Sequence, residues 1–246
     1  MTLEKLENFK IDEHLAKALK SLQEKLNKIA SNFDINKLKN GMENQIKVIK
    51  RISKYGFLIP SNADIEIQKK IFNCKDNSEL EMIYLKFFNS NNKKELINLK
   101  TNFYNHDVLN NFRKIYKQAY FNFNCKNYYA SCIVLTSLLE GLIRKYASVP
   151  MKNNNLSGRL NANLNSKYSD KYTVLFQDKT GISKFIENYY ISISEDDIND
   201  ENYFNRNALM HGLEFNRYKK IDAIKLFNVI DILNSLLLID NYEVNE

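Results

Sequence analysis

Proline and glycine are nearly missing from this chain, with two prolines and six glycines in 246 residues. Both residues interrupt helices, so their scarcity, beside long Leu/Ile/Lys/Glu/Asn stretches, points to an all-helical protein. Cysteine is also rare. Cys74, Cys125 and Cys132 show no metal-ligand spacing, and they are expected as small core hydrophobes in a reducing compartment. No apolar run is long enough to span a bilayer, the longest reaching from Leu236 to Ile239. The N-terminus lacks the basic and apolar regions of a secretion signal. A cytoplasmic protein with no membrane partner is expected. There is no glycine-rich phosphate loop, no zinc spacing and no serine-nucleophile motif, so neither a cofactor nor a metal is called for.

What the chain does have is apolar content of 44% against 26% charged residues, enough for one or two domains with a sizeable core. Its net charge of +7 favours an anionic partner such as nucleic acid. Leu3, Leu6, Phe9, Leu15, Leu19, Leu22, Leu26 and Ile29 keep helical spacing and predict an amphipathic helix over residues 3–31. Leu38, Met42, Ile46, Ile49 and Ile52 mark a second. This pair reads as packing against the rest of the chain, as a partner-binding arm or as a dimer prop. Gly56 and Pro60 bracket a short apolar segment where the chain turns and tucks in. Ser61 or Asn62 is expected to cap a helix through Phe72. Asn77 or Ser78 starts another over 79–88, residues 89–92 form a loop, and further helices run over 93–104 and 107–123.

After a break at 125–127, residues 128–147 predict the most apolar helix of the middle region. At 100° per residue Thr136, Ser137, Glu140 and Arg144 fall in one narrow polar stripe. A carboxylate there needs a partner. Either Glu140 pairs with Arg144 one turn on, or the stripe lines a cleft facing Arg206 and His211. Residues 151–170 read as a long loop rich in Asn, Ser and Gly. From Arg144 to Ser169 all charges are positive (Arg144, Lys145, Lys152, Arg159 and Lys167). Such a loop suits an RNA backbone or is a solvated linker. A short helix is expected over 180–191. Glu195, Asp196, Asp197, Asp200 and Glu201 read as a solvated or capping segment rather than a metal site. The last helix is expected over 217–241. Its polar residues Asp222, Lys225, Asn228, Asp231 and Asn234 recur every three positions. The apolar remainder is wide enough for burial on two sides, one by the bundle and one by a second subunit.

The stretch from Arg206 to His211 carries the chemistry. Arginine is a permanent cation whose planar fork fits phosphate oxygens, and histidine exchanges a proton near neutral pH. Together they suffice to cleave RNA without a metal, because RNA supplies its own 2′-hydroxyl as nucleophile. Five residues on an ideal helix lie about 140° apart, so the two side chains cannot share a face. Either Arg206 sits in the turn before the helix, or partners come from another subunit. A surface arginine and a helix-capping histidine are the plainer reading. His14, among Lys and Glu, and His106, at an expected helix start, have no nearby catalytic companions.

The C-terminal half resembles the HEPN superfamily of helical domains. The resemblance rests on residues 127–146 with the embedded Glu140, on the basic Asn-rich segment after them, and on Arg206-Asn207 followed by His211, Gly212 and a long apolar helix. The last of these matches the family's Arg-x(4–6)-His motif. The likeness covers residues 125–246, extends more loosely over 56–124 as in abortive-infection proteins, and leaves out 1–55. It implies an all-α bundle with a middle region (56–124) and a HEPN-like domain (125–246), while residues 1–55 are the N-terminal helical arm expected from their apolar spacing. It also implies a metal-independent endoribonuclease of phage defence or toxin type, acting as a homodimer whose two motifs share one cleft. His211 would be the general acid/base, Arg206 would grip the phosphate, Asn207 would orient His211 or the phosphate, and Glu140 would hold Arg206. An antitoxin or regulatory protein is a further expected partner. Domains of this kind also serve as non-catalytic RNA- or partner-binding modules.

Overall fold

The computed structural model describes residues 20, 21, 23, 25, 35–105, 107–146, 155–167, 173–191, 204–212 and 218–243. The chain forms two units, residues 1–44 and 45–246. In the first, Lys20, Ser21, Gln23 and Lys25 are helical and exposed. The rest of the helix expected over 3–31, with His14, lies outside the described residues, as does His106. Helix α1 (Ile35–Lys54) begins in the first unit and ends in the second.

The second unit is an all-α bundle, and no strand occurs among the described residues. It contains α2 (Ile65–Asn73), α3 (Asn77–Tyr104), a 3-10 turn (Asp107–Phe112), α4 (Arg113–Asn124), α5 (Tyr128–Tyr146), α6 (Leu156–Lys167), α7 (Thr173–Tyr189), the one-turn α8 (Arg206–Met210) and α9 (Lys220–Glu243). Among the described residues no helix is long and apolar enough to cross a membrane. One continuous apolar cluster runs from Ile52 to Leu236.

Helix starts differ from expectation for a reason visible in the side chains. Asp64 caps α2, its Oδ1 accepting from the Ile67 amide at 2.8 Å. Ser61 and Asn62 are engaged elsewhere, on Asp231 at 2.6 Å and on Glu95 at 3.3 Å. Asp76 caps α3 through the Glu79 amide while Glu79 accepts from the Lys75 amide, both at 2.8 Å, a reciprocal arrangement that satisfies two orphan donors. The loop expected at 89–92 shrinks to two left-handed residues, Asn92 and Lys93 (φ 55° and 63°), inside the span of α3. Helix α7 starts well before the expected residue 180.

The long loop expected over 151–170 is largely helix α6. Leu156, Leu160 and Leu164 stand one turn apart and are buried, so three leucines at spacing four outweigh the Asn-rich composition between them. Cys74 and Cys132 are buried as expected, but Cys125 is exposed. It caps the end of α4, where Lys126 turns the chain at φ 61°.

Helix α9 packs against α3, α5 and α7, and every residue from 221 to 234 is buried. No face of that stretch remains for a second subunit, which corrects the sequence expectation. The five polar residues at spacing three are the reason. They face inward, and Lys225, Asn228 and Asp231 fasten the strap of residues 55–61 across the bundle. Asn228 Nδ2 donates to the Leu58 carbonyl at 2.8 Å, and Tyr84 Oη donates to that same oxygen. Asp231 accepts from Ser61 and from Asn102 Nδ2 at 3.2 Å. Lys225 pairs with Asp222 at 3.3 Å and lies over the Phe57 ring at 4.2 Å. A buried polar group left unpaired costs about 1–3 kcal/mol, so the strap and the stripe need each other.

The strap turns at Gly56 with φ 86°. A Cβ there would meet Phe204 Cδ1 at 2.7 Å and Lys225 Cδ at 3.1 Å. Gly56→Ala should therefore lower unfolding free energy in urea by about 1–3 kcal/mol. An unchanged midpoint would contradict the packing described.

Asp178 on α7 sits beside Ile49, Leu58, Ile59, Gly181 and Ile232. Burial, and secondarily the charge of Asp231, pushes its carboxyl up from 3.8 to about 6. A raised acid binds its proton more tightly when folded. Its contribution to stability is therefore full below about pH 4 and is lost as pH rises through 6. Asp178→Asn should stabilise the protein above pH 6 by on the order of 1–3 kcal/mol and flatten the pH dependence of the denaturation midpoint between pH 4 and 7. Equal midpoints for wild type and variant at pH 7.5 would refute this.

Candidate functional site

The site grows from Asn205, a residue the sequence reading did not single out. Its side chain is fully buried and caps α8, Oδ1 accepting from the amides of Asn207 (2.7 Å) and Ala208 (3.4 Å). Its Nδ2 donates to the carbonyls of Asn188 (3.2 Å) and Ile191 (3.0 Å) at the end of α7. Tyr218 Oη donates to its backbone oxygen at 3.4 Å. One amide side chain thus ties α8 to α7, and the Tyr218 hydroxyl ties it to the approach to α9. The available signal was an asparagine directly before a short apolar helical turn, a preferred N-cap.

With that cap in place, Arg206 becomes the first residue of α8 and His211 its C-cap. The motif therefore occupies the two ends of a single turn. Gly212 ends the turn at φ 68°, the left-handed position that glycine fills most readily. The helix end is also held from α5, where Tyr129 Oη donates to the Leu209 carbonyl at 3.3 Å.

Arg206 points at α5. Its Nη2 lies 3.5 Å from Glu140 Oε2, and its Nη1 donates to Asn207 Oδ1 at 3.1 Å. Glu140 also accepts from Arg144 Nε and Nη2 through Oε1, at 3.1 and 2.9 Å. The local Glu140–Arg144 pair expected from the sequence is present, and the same carboxylate also stands beside the distant Arg206 guanidinium. The rest of the stripe agrees. Thr136 is buried and shares a hydrogen bond with Tyr189 of α7, while Ser137 Oγ turns back to the Ile133 carbonyl at 3.1 Å.

Asn207 does not orient His211 through its side chain. It holds the Arg206 fork and donates from Nδ2 to the Ile191 carbonyl at 3.1 Å. Its backbone oxygen accepts the His211 amide at 3.0 Å. The His211 side chain is exposed and makes no hydrogen bond to any described residue. Met210, which precedes it, is 41% exposed, and Ile191, held by Asn205 and Asn207 at the start of α8, is 52% exposed.

Tyr190 is the second residue that sequence reasoning missed. Its hydroxyl is buried without a hydrogen-bond partner among the described residues, as is Arg206 Nε. Burial, then the Glu140 charge, drives this hydroxyl well above the ordinary tyrosine value, against the pull of Arg206 and Arg144. It stays a neutral group beside the carboxylate. Only its place at the end of an apolar helix hinted at this.

The basic residues expected to contact RNA are dispersed. Arg144 is taken up by Glu140. Lys145 is exposed, its Nζ over the Phe112 ring at 5.6 Å. Arg159 is exposed on α6, so it rides on a helix rather than a loose loop. Lys167 ends α6, and Lys152 lies outside the described residues, as does the acidic run 195–201. Among the described residues no group of three His, Cys, Asp or Glu side chains is placed to hold a metal. Comparison with protein-family models, curated proteins and solved structures produced no match to this chain.

Removing the shared carboxylate leaves two guanidinium groups facing each other. Glu140→Gln should cost about 1–3 kcal/mol in urea denaturation. Adding Arg144→Met should recover part of the loss by relieving that repulsion. Additive losses in the double variant would show that the carboxylate does not bridge the two cations.

Proposed function

We propose that the protein is a metal-independent endoribonuclease of HEPN type. What supports this reading is the placement of Arg206 and His211 at opposite ends of one capped turn, with the imidazole open to solvent and the guanidinium braced by Glu140 and Asn207. In the reaction the 2′-oxygen of RNA bonds to the adjacent phosphorus and loses its proton to a base. The phosphorus–O5′ bond breaks, and the departing oxygen takes a proton. His211 serves in proton transfer. Arg206 offsets the charge that grows on the phosphoryl oxygens, and Glu140 fixes its orientation beforehand. The net positive charge suits a polyanionic substrate.

A second copy would complete the cleft by bringing another Arg206–His211 pair alongside. The exposed Met210 and Ile191 offer apolar surface for that contact. The biological setting proposed is phage defence or a toxin, with an antitoxin or regulatory protein as partner.

One observation favours a non-catalytic RNA-binding module instead. Arg206 already has its acidic partner, and its Nε is buried. In that reading α8 is a structural clasp, and RNA binding survives loss of His211 with no cutting in either protein.

The test is RNA cleavage by purified protein in excess EDTA. Wild type should cut, and His211→Ala and Arg206→Ala should each lower the rate about 10²–10⁴-fold, with growth arrest on expression relieved by His211→Ala. No cutting by wild type, or equal cutting by all three, overturns the nuclease reading.

A further inference from the structure

Helix α4 presents an unusual outer face. Tyr116, Ala119 and Phe123 are buried on its inner side. Lys114, Lys117, Gln118 and Phe121 fall at spacing three to four on the other, and all are exposed. Phe121 is 61% exposed, a large aromatic surface left in water. The chain then turns through Lys126, also exposed.

The charge around this face has one sign. Between Asp107 and Glu140 the sequence contains no acidic residue, while Arg113, Lys114, Lys117 and Lys126 are basic. Lys100 reaches in from α3, its Nζ over the Tyr120 ring at 5.1 Å. None of Lys114, Lys117 and Lys126 forms an ion pair with a described residue. A row of free cations is a poor design for packing against another protein, whose partner would need a matching acidic strip. It is a good design for a phosphate backbone, with an aromatic ring on which a base stacks.

The face also leads somewhere. Three residues after Lys126, Tyr129 Oη holds the Leu209 carbonyl at 3.3 Å and lies 3.8 Å from where a Cβ on Gly212 would stand. The turn that ends α4 therefore leads into Tyr129, whose hydroxyl reaches the end of α8, where His211 is exposed.

We infer that the outer face of α4, centred on Phe121 and flanked by Lys114, Lys117 and Lys126, binds single-stranded RNA and feeds it toward His211. The identity of the polymer rests on the nuclease reading above. The strand's phosphates lie along the lysines, and one unstacked base packs on the Phe121 ring. Duplex RNA, whose bases are already stacked on each other, gains nothing from that ring.

The experiment uses the full chain carrying His211→Ala, so that the probe survives, and follows anisotropy of a fluorescein-labelled 20-nucleotide oligo(U) across a salt series. Adding Phe121→Ala should raise Kd about 5- to 150-fold. Phe121→Leu should do the same, because it keeps apolar area but loses the stacking plane. Lys114→Gln with Lys117→Gln should reduce the slope of log K against log salt by about 1.4. Thermal unfolding of each variant checks the fold, which such exposed positions should leave intact. Kd within twofold of the parent in the Phe121 variants, together with an unchanged salt slope in the lysine variant, overturns the proposal. Loss restored by Phe121→Leu also overturns it, because that marks an apolar docking face for a protein. The nuclease reading fails separately, in the cleavage assay of the His211-intact protein.

Discussion

A carboxylate on an otherwise apolar helix needs compensation, and the way Glu140 obtains it organises one end of the bundle. Leu138, Leu139, Leu142 and Ile143 around it are fully buried, so α5 has only a narrow stripe on which to keep a charge. Arg144, one turn on, supplies a local partner at 2.9 Å. Arg206 supplies the second from α8. Because a half-buried ion group left unpaired is costly, the position of α8 over α5 is constrained by charge as well as by packing. The remaining contacts at this end follow from that docking. Asn205 fastens α8 to the end of α7, Asn207 shares the arginine fork, and Tyr129 closes the turn from below.

A parallel arrangement holds the other side of the bundle. Lys225, Asn228 and Asp231 of α9 meet the strap at residues 55–61, whose Leu58 oxygen receives both Asn228 and Tyr84. Polar groups in a buried helix specify position more sharply than apolar ones, because a shift of one residue leaves them unpaired. The two clasps therefore play similar parts, one fixing where the strap crosses α9 and the other fixing where Arg206 and His211 stand.

Much of the fold was legible in the sequence. The scarcity of Gly and Pro pointed to the all-α class, and the apolar spacing located α1, α5 and α9 closely, whereas the helix expected over 107–123 divides into a 3-10 turn and α4. Glu140 and Arg206 were both marked, and their meeting was one of two readings left open. The misreadings share a cause, which is that composition was weighed against spacing. Asn-rich residues 151–170 looked like a loop, yet Leu156, Leu160 and Leu164 made α6 a helix. On α9 the apolar remainder was read as wide enough for burial on two sides, one by the bundle and one by a second subunit. The polar positions are themselves buried within the chain, with Asn228 and Asp231 meeting partners on a strap distant in sequence, and no local pattern reveals that. Asn205 and Tyr190 were missed because a cap and an unpartnered hydroxyl acquire meaning only when the elements around them are in place.

The proposal that the Arg206–His211 end of this bundle breaks RNA through the substrate's own 2′-oxygen can be tested at a single atom. The most direct measurement is to map a cleavage site on a short RNA and then present the same RNA with a single 2′-deoxy nucleotide immediately 5′ of the cut phosphate. Cutting at that site should disappear while neighbouring sites are cut as before. Unchanged cutting at the deoxy position would contradict it.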